Sequence, residues 1–143
     1  MADIRHLIQI NASVERIRPL FSSAKGFSHW WAADSVEGES EGSVELGFFS
    51  RSTVYRLRQG EQTPNEIAWR CDRGKEWNGT TLHFRLEPTG KATLLHFTHG
   101  GWNEETEYFV TCNTTWGELM YRLKAAAEGK TPVPLFTMDG LAC

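Results

Sequence analysis

Five histidines, three cysteines and eighteen acidic side chains carry most of the chemistry this sequence can offer, and their spacing limits what they can do. His83, His96 and His99 fall on adjacent predicted strands, the kind of neighbourhood a metal site needs. His96 and His99 are three residues apart in an extended segment, so they point to opposite faces and cannot chelate together. His83 and His96 lie out of phase with the apolar alternation of their strands, which makes them outward imidazoles. His99 shares the face of Leu95 and Phe97, and with His6 and His29 it is a histidine able to reach an interior. No metal and no cofactor is expected.

Nucleophilic catalysis finds no pattern either. There is no Gly-X-Ser-X-Gly elbow, and Cys71, Cys112 and Cys143 have no basic or histidine partner nearby in sequence. Odd in number and widely spaced, these cysteines point to reduced thiols rather than a disulfide framework or structural zinc. The acids gather in Glu37 to Glu45, a wet loop, and in Glu104 to Glu107, a helix start. Glu45 alternates against Val44 and Leu46 and so faces solvent, leaving no carboxylate pair for acid-base work. Gly100-Gly101 has no phosphate-loop context and is followed by three acids. Arg51, Arg56, Arg58, Arg70 and Arg73 form a modest basic patch that can steer an acidic ligand or partner surface.

Aromatic residues make up 12% of the chain, with six Trp, eight Phe and three Tyr, a large supply of bulky apolar surface for one small domain. Trp30, Trp31, Phe48, Trp69, Phe84, Phe97, Trp116 and Met120 all fall on inward phases of their predicted elements, with His99 beside them. These nine are the candidate ligand-binding residues, since pockets are lined by aromatic and aliphatic groups with a few polar ones. Met120 suits an adaptable wall.

The elements that position them follow from periodicity. Ile4, Ile8 and Ile10 alternate with polar residues and mark a strand over 3–11, with His6 on its apolar face. Asn11 and Ser13 can cap a short helix carrying Val14, Ile17, Leu20 and Phe21, which Pro19 must shorten or kink. A second helical piece spans about 23–31, with Gly26 against it. Strands follow around Val44-Phe48, Thr53-Arg58, Ile67-Trp69, Leu82-Leu86 and Thr93-His99, with a twist or bulge to reconcile Val54 and Leu57. Residues 104–129 then form one long amphipathic helix, started by Asn103 and stopped by Gly129 and Pro132. The class is α+β.

The 143 residues fit one domain, and the net charge of −3 provides no field for nucleic acid or anionic lipid. No apolar run approaches the ~20 residues of a membrane span, and the start lacks a secretory signal, so a cytoplasmic protein is expected.

The string Ile10-Asn11-Ala12-Ser13-Val14 through Trp30-Trp31, the glycine-rich turn before Val44-Glu45-Leu46, and Ile67-Ala68-Trp69 follow a familiar order. So do the run from Gly79 to Pro88, the run from Ala92 to Gly101, and Trp116 with Leu119 and Leu123. Together they resemble the START-like (SRPBCC) superfamily, in the branch of activator of Hsp90 ATPase homologues, over about residues 3–129. The resemblance implies a helix-grip fold: a curved antiparallel sheet of about six strands wrapped around the C-terminal helix, two short helices after the first strand, and a hydrophobic cavity between sheet and helix. It sets a domain at 1–130 and leaves 131–143 as a tail. It implies carriers of lipids, sterols or polyketides, regulators of chaperone ATPase, and a few cyclases and hydrolases. The expected function is non-catalytic binding of a small hydrophobic or aromatic molecule in that cavity, by a monomer or homodimer. One alternative is an interaction module for an Hsp90-type chaperone ATPase. A second is a cyclase or hydrolase using His99, His29 or Tyr55.

Overall fold

The computed structural model describes residues 2–48, 50–74 and 76–136. Strand β1 (Ala2–Ile10) leads into α1 (Val14–Ile17), a 3-10 turn (Arg18–Phe21) and α2 (Ala24–Ser28). Pro19 lacks the amide that would continue α1, and the chain tightens into the 3-10 turn where the proline sits. Gly26, expected to weaken α2, is required there, because a Cβ would collide with the Pro19 carbonyl. The side chains of Ser13 and Ser23 cap the two helices by accepting from the amides of Arg16 and Gly26.

Strands β2 (Asp34–Glu37), β3 (Ser43–Phe48), β4 (Thr53–Thr63), β5 (Glu66–Arg73), β6 (Thr81–Thr89) and β7 (Ala92–Trp102) follow, and α3 (Glu107–Ala127) completes the fold. The sheet has seven antiparallel strands in the order β1-β7-β6-β5-β4-β3-β2. The strand beyond the expected six is β2, which pairs with β3 between Asp34↔Gly47 and Glu37↔Val44. Its burial pattern has no inward apolar row, so periodicity could not reveal it.

The twist or bulge expected between Val54 and Leu57 is present as a register shift between Arg56 and Leu57 in the pairing of β4 with β5, with a second shift between Gln59 and Gln62. Tyr55 and Leu57 are the buried positions there, and Val54 is half-buried. One further expectation is corrected. The long helix begins at Glu107 rather than 104, because the Thr106 hydroxyl, not Asn103, accepts from the Phe109 amide.

Helix α3 is held at its far end by β1. Lys124 Nζ donates to the Gln9 carbonyl at 3.0 Å, and the Glu128 carboxylate accepts from the Asn11 amide at 2.8 Å. The Lys124 ammonium, then the Asn11 amide, hold the Glu128 carboxyl below its ordinary range. Beyond α3 the chain folds back: Phe136 is buried, bridges Ala32, and donates its amide to the Trp31 carbonyl. Residues 137–143, the remainder of the expected tail, lie outside the described residues. Cys71 is buried and free. Cys112, on the inward face of α3, is disulfide-bonded, which corrects the expectation of reduced thiols throughout.

Candidate functional site, an aromatic seam between sheet and helix

The inward stripe of α3 presents Phe109, Cys112, Trp116, Leu119, Met120, Leu123 and Ala127 to the sheet. Strands β3 to β7 answer with Phe48, Tyr55, Trp69, Phe84, Phe97 and His99, while the segment after α2 contributes Trp30 and Trp31. Eight of the nine residues expected to bind ligand belong to one hydrophobic core cluster, His99 is buried among them, and none of the nine exposes more than 2% of its surface.

Their rings touch one another through the space where a gap was expected. Trp116 meets Phe97 at 4.3 Å and Trp31 at 5.0 Å between centroids, and Phe84 stacks on Phe21 at 4.5 Å. Such pairs contribute about 1 kcal/mol each beyond their buried area. Open surface cavities among the described residues are lined by none of the nine, though Trp102 borders one and Phe109 another.

Four members of the seam were not among the nine. Trp77 stacks on Tyr55 at 4.4 Å, meets His99 edge-on at 4.5 Å, and lies parallel to Trp116 at 6.1 Å. Tyr55 and Tyr108 bring their hydroxyls to 2.6 Å, joining β4 to the first turn of α3. Burial, reinforced by the Tyr108 hydrogen bond, pushes the Tyr55 phenol far above its ordinary value. Burial raises Tyr108 as well, against the bond from Tyr55. Trp102 closes one end, 4.7 Å from His99 and 5.3 Å from Phe109. One sequence signal marks Trp77: a bulky ring set between Gly74 and Gly79 in a connection must fold inward to be buried.

A chain of hydrogen bonds runs through the middle of these rings. Trp116 Nε1 donates to His99 Nδ1 at 3.1 Å, so Nδ1 is the acceptor and the hydrogen resides on Nε2. That Nε2 donates to Thr80 Oγ1 at 2.9 Å, and Thr80 Oγ1 donates to the Trp77 carbonyl at 2.6 Å. With Nδ1 accepting and Nε2 donating, the imidazole is neutral. Burial pulls the His99 pKa down to about 3. His99 therefore has a hydroxyl partner rather than a carboxylate, and the outward histidines pair with acids instead: His96 with Glu87 at 2.9 Å and His83 with Glu66 at 3.5 Å. His29 is exposed, and among the described residues no cluster of histidine, cysteine and acidic groups could hold a metal ion.

Three of the six indoles have clear acceptors. Trp30 Nε1 donates to the Leu20 carbonyl, Trp69 Nε1 to the Phe21 carbonyl, and Trp116 to His99. Among the described residues the Nε1 groups of Trp31 and Trp102 are sealed from solvent without an acceptor, as is His6 Nε2 on β1, while the buried Trp77 Nε1 has only the Tyr108 hydroxyl near it. Each such group costs on the order of 1–3 kcal/mol.

Three of the five arginines of the expected basic patch are engaged in ion pairs. Arg51 bridges Asp34 and Glu45, each at 2.7 Å, while Arg56 and Arg58 both grip Asp72. Burial alone would raise the Asp72 carboxyl, but the two guanidiniums outweigh it and hold the group below its ordinary range.

A seven-stranded antiparallel sheet curved around a long helix, with two short helices after the first strand, defines a START-like domain of the helix-grip class. The family model described as "Activator of Hsp90 ATPase homolog 1-like protein" matches residues 11–128, and the chain belongs to that family. The solution structure of the Aha1 dimer from Colwellia psychrerythraea is similar at 28% identity and a TM-score of 0.80, covering 92% of this chain and 100% of that one. A crystal structure from Staphylococcus saprophyticus matches at 16% identity and a TM-score of 0.72, over 96% of this chain and 99% of that one. CalU16 from Micromonospora echinospora also has a TM-score of 0.72 at 16% identity, over 92% of this chain and 68% of its own; these last two establish the fold alone. No curated protein matches. Among the described residues no helix is long and apolar enough to cross a membrane.

Proposed function

We propose that this protein binds a small hydrophobic or aromatic molecule between the sheet and α3, in a role that needs no catalysis. The observation that carries the reading is the pair of buried indole donors, Trp31 and Trp102, that have no acceptor among the described residues and lie beside the ring cluster of Trp116 and His99. A folded core seldom leaves such groups unpaired, and a ligand oxygen that accepts from them recovers part of their cost. The same rings supply the apolar contact, with burial worth roughly 25 cal/mol per Å². Because the donors are sealed, the ligand enters by parting α3 from the sheet, which makes binding a population shift of the seam.

The test is an isosteric pair, 2-acetylnaphthalene and 2-isopropenylnaphthalene, titrated while the indole N–H resonances are followed by NMR. The ketone is expected to shift the Trp31 or Trp102 resonance saturably and to bind about tenfold more tightly than the hydrocarbon. Equal affinities, or no saturable shift with either compound, would overturn the reading.

A second reading rests on the family match over residues 11–128: a module that acts on a chaperone ATPase, with stimulated ATP turnover as its readout. The dimer from Colwellia psychrerythraea supports pairing of two copies in either reading.

A further inference from the structure

One open surface cavity lies apart from the aromatic seam. It is a groove of about 860 Å³ bounded by the start of α1, the tip of the β4–β5 hairpin and the tip of the β6–β7 hairpin. Its apolar surface comes from Ala12, Val14, Pro64, Pro88 and Ala92, and its charged groups are Arg18, Lys91 and Glu15. None of these three charges takes part in an ion pair of the described residues. The groove is therefore net positive in a chain whose formal charge is −3.

Arg18 is built into the wall. Its Nη2 donates to Gln62 Oε1 at 3.0 Å and to the Thr63 carbonyl at 3.2 Å, tying the 3-10 turn to the β4–β5 tip. Its Nε is sealed from water and has no acceptor. The guanidinium is thus held in place by two neutral oxygens while its charge is left uncompensated. An anion lodged in the groove would offset that deficit, since hydrogen bonds to ionised partners are roughly twice as strong as neutral ones.

We infer that this groove is a binding site for small organic carboxylates with an apolar tail, the carboxylate held by Arg18 and Lys91 and the tail laid on the proline, valine and alanine surface. The volume falls within the range of small-molecule sites, and a predominantly apolar wall with a few charged groups is their usual make-up. Glu15 opposes a second negative charge, so a monocarboxylate is preferred to a dicarboxylate. The groove is separate from the aromatic seam, because none of the seam's ring residues lines it.

The experiment compares hexanoate, acetate and hexylamine by backbone-amide NMR titration of the whole chain. Hexanoate should shift the amides of residues 12–15, 63–65 and 88–92 saturably, acetate should bind at least about tenfold more weakly for want of a tail, and hexylamine should leave those amides in place. Lys91→Gln and Arg18→Gln should each weaken hexanoate about fivefold. Arg18 also ties two elements together, so Lys91→Gln, at an exposed hairpin tip, decides the matter if the other variant fails to fold. Equal responses to hexylamine and hexanoate, an unchanged hexanoate affinity in Lys91→Gln, or shifts confined to the Trp31, Trp77 and Trp116 region would overturn the inference. The first two results leave the seam reading untouched, and the third would favour it alone.

Discussion

Protonating His99 would set two hydrogens against each other, because its Nδ1 already accepts from Trp116 and its Nε2 already donates to Thr80. The imidazole is neutral in the fold down to about pH 3, whereas in the unfolded chain it takes up a proton near its ordinary value of 6.5. Between those limits the unfolded chain binds more protons, so stability rises with pH: it is intact above 6.5 and is lost as pH falls toward 3. The slope is about 1 kcal/mol per pH unit, and the thermal midpoint is expected to fall between pH 7 and pH 5. In His99→Gln that slope should flatten whatever the variant's absolute stability. A variant with the native slope would show that the histidine is not the group responsible. The inward position of His99 was legible from its parity with Leu95 and Phe97, and the outward positions of His83 and His96 likewise. Trp77 was not legible as part of the site, because a connection has no period from which a face can be read. The pairing of Tyr55 with Tyr108 spans 53 positions and leaves no local pattern.

Helix boundaries depend on single hydroxyls, and this is where periodicity misplaces elements. The polar run of Asn103, Glu104 and Glu105 looks like a helix start, but the first amide that must be satisfied beneath the apolar stripe is that of Phe109, and Thr106 is the residue three positions before it. Thr106→Ala should therefore lower stability by about 1 kcal/mol in urea denaturation, while Asn103→Ala should change it by less than about 0.5 kcal/mol. The reverse ranking would put the cap at Asn103. Elsewhere the elements followed simple covalent facts: Pro19 ended α1, and Pro64-Asn65 turned β4 into β5. Gly26 ran the other way, read as a weakness and found to be the close-approach point of α2 on the Pro19 carbonyl. Edge strand β2 escaped because both its faces are wet or half-wet, so its ladder to β3 is the only thing that makes it a strand.

At the scale of the molecule, a warped sheet and a straight helix were expected to leave a gap, and among the described residues many rings meet one another between them. The order of elements was legible because each is long or strongly periodic, but the fit of six indoles and their neighbours is a property of assembled volumes that no one-dimensional pattern carries. This close packing has a consequence for binding: a ligand in the seam must displace contacts, so stability and affinity trade against each other. Met120 is the place to test it, being fully inside the core cluster on α3 and lacking a polar partner to orphan. Met120→Ala should cost about 2–5 kcal/mol in urea denaturation, the usual range for emptying that much core volume. It should also bind 2-acetylnaphthalene more tightly than the parent chain, since an apolar cavity of this kind stays dry and accepts an aromatic guest. Loss of stability with unchanged or weaker affinity would mean that the ligand does not occupy the space beneath α3. The native rings would then be a core alone, with recognition left to the outer surfaces of the domain.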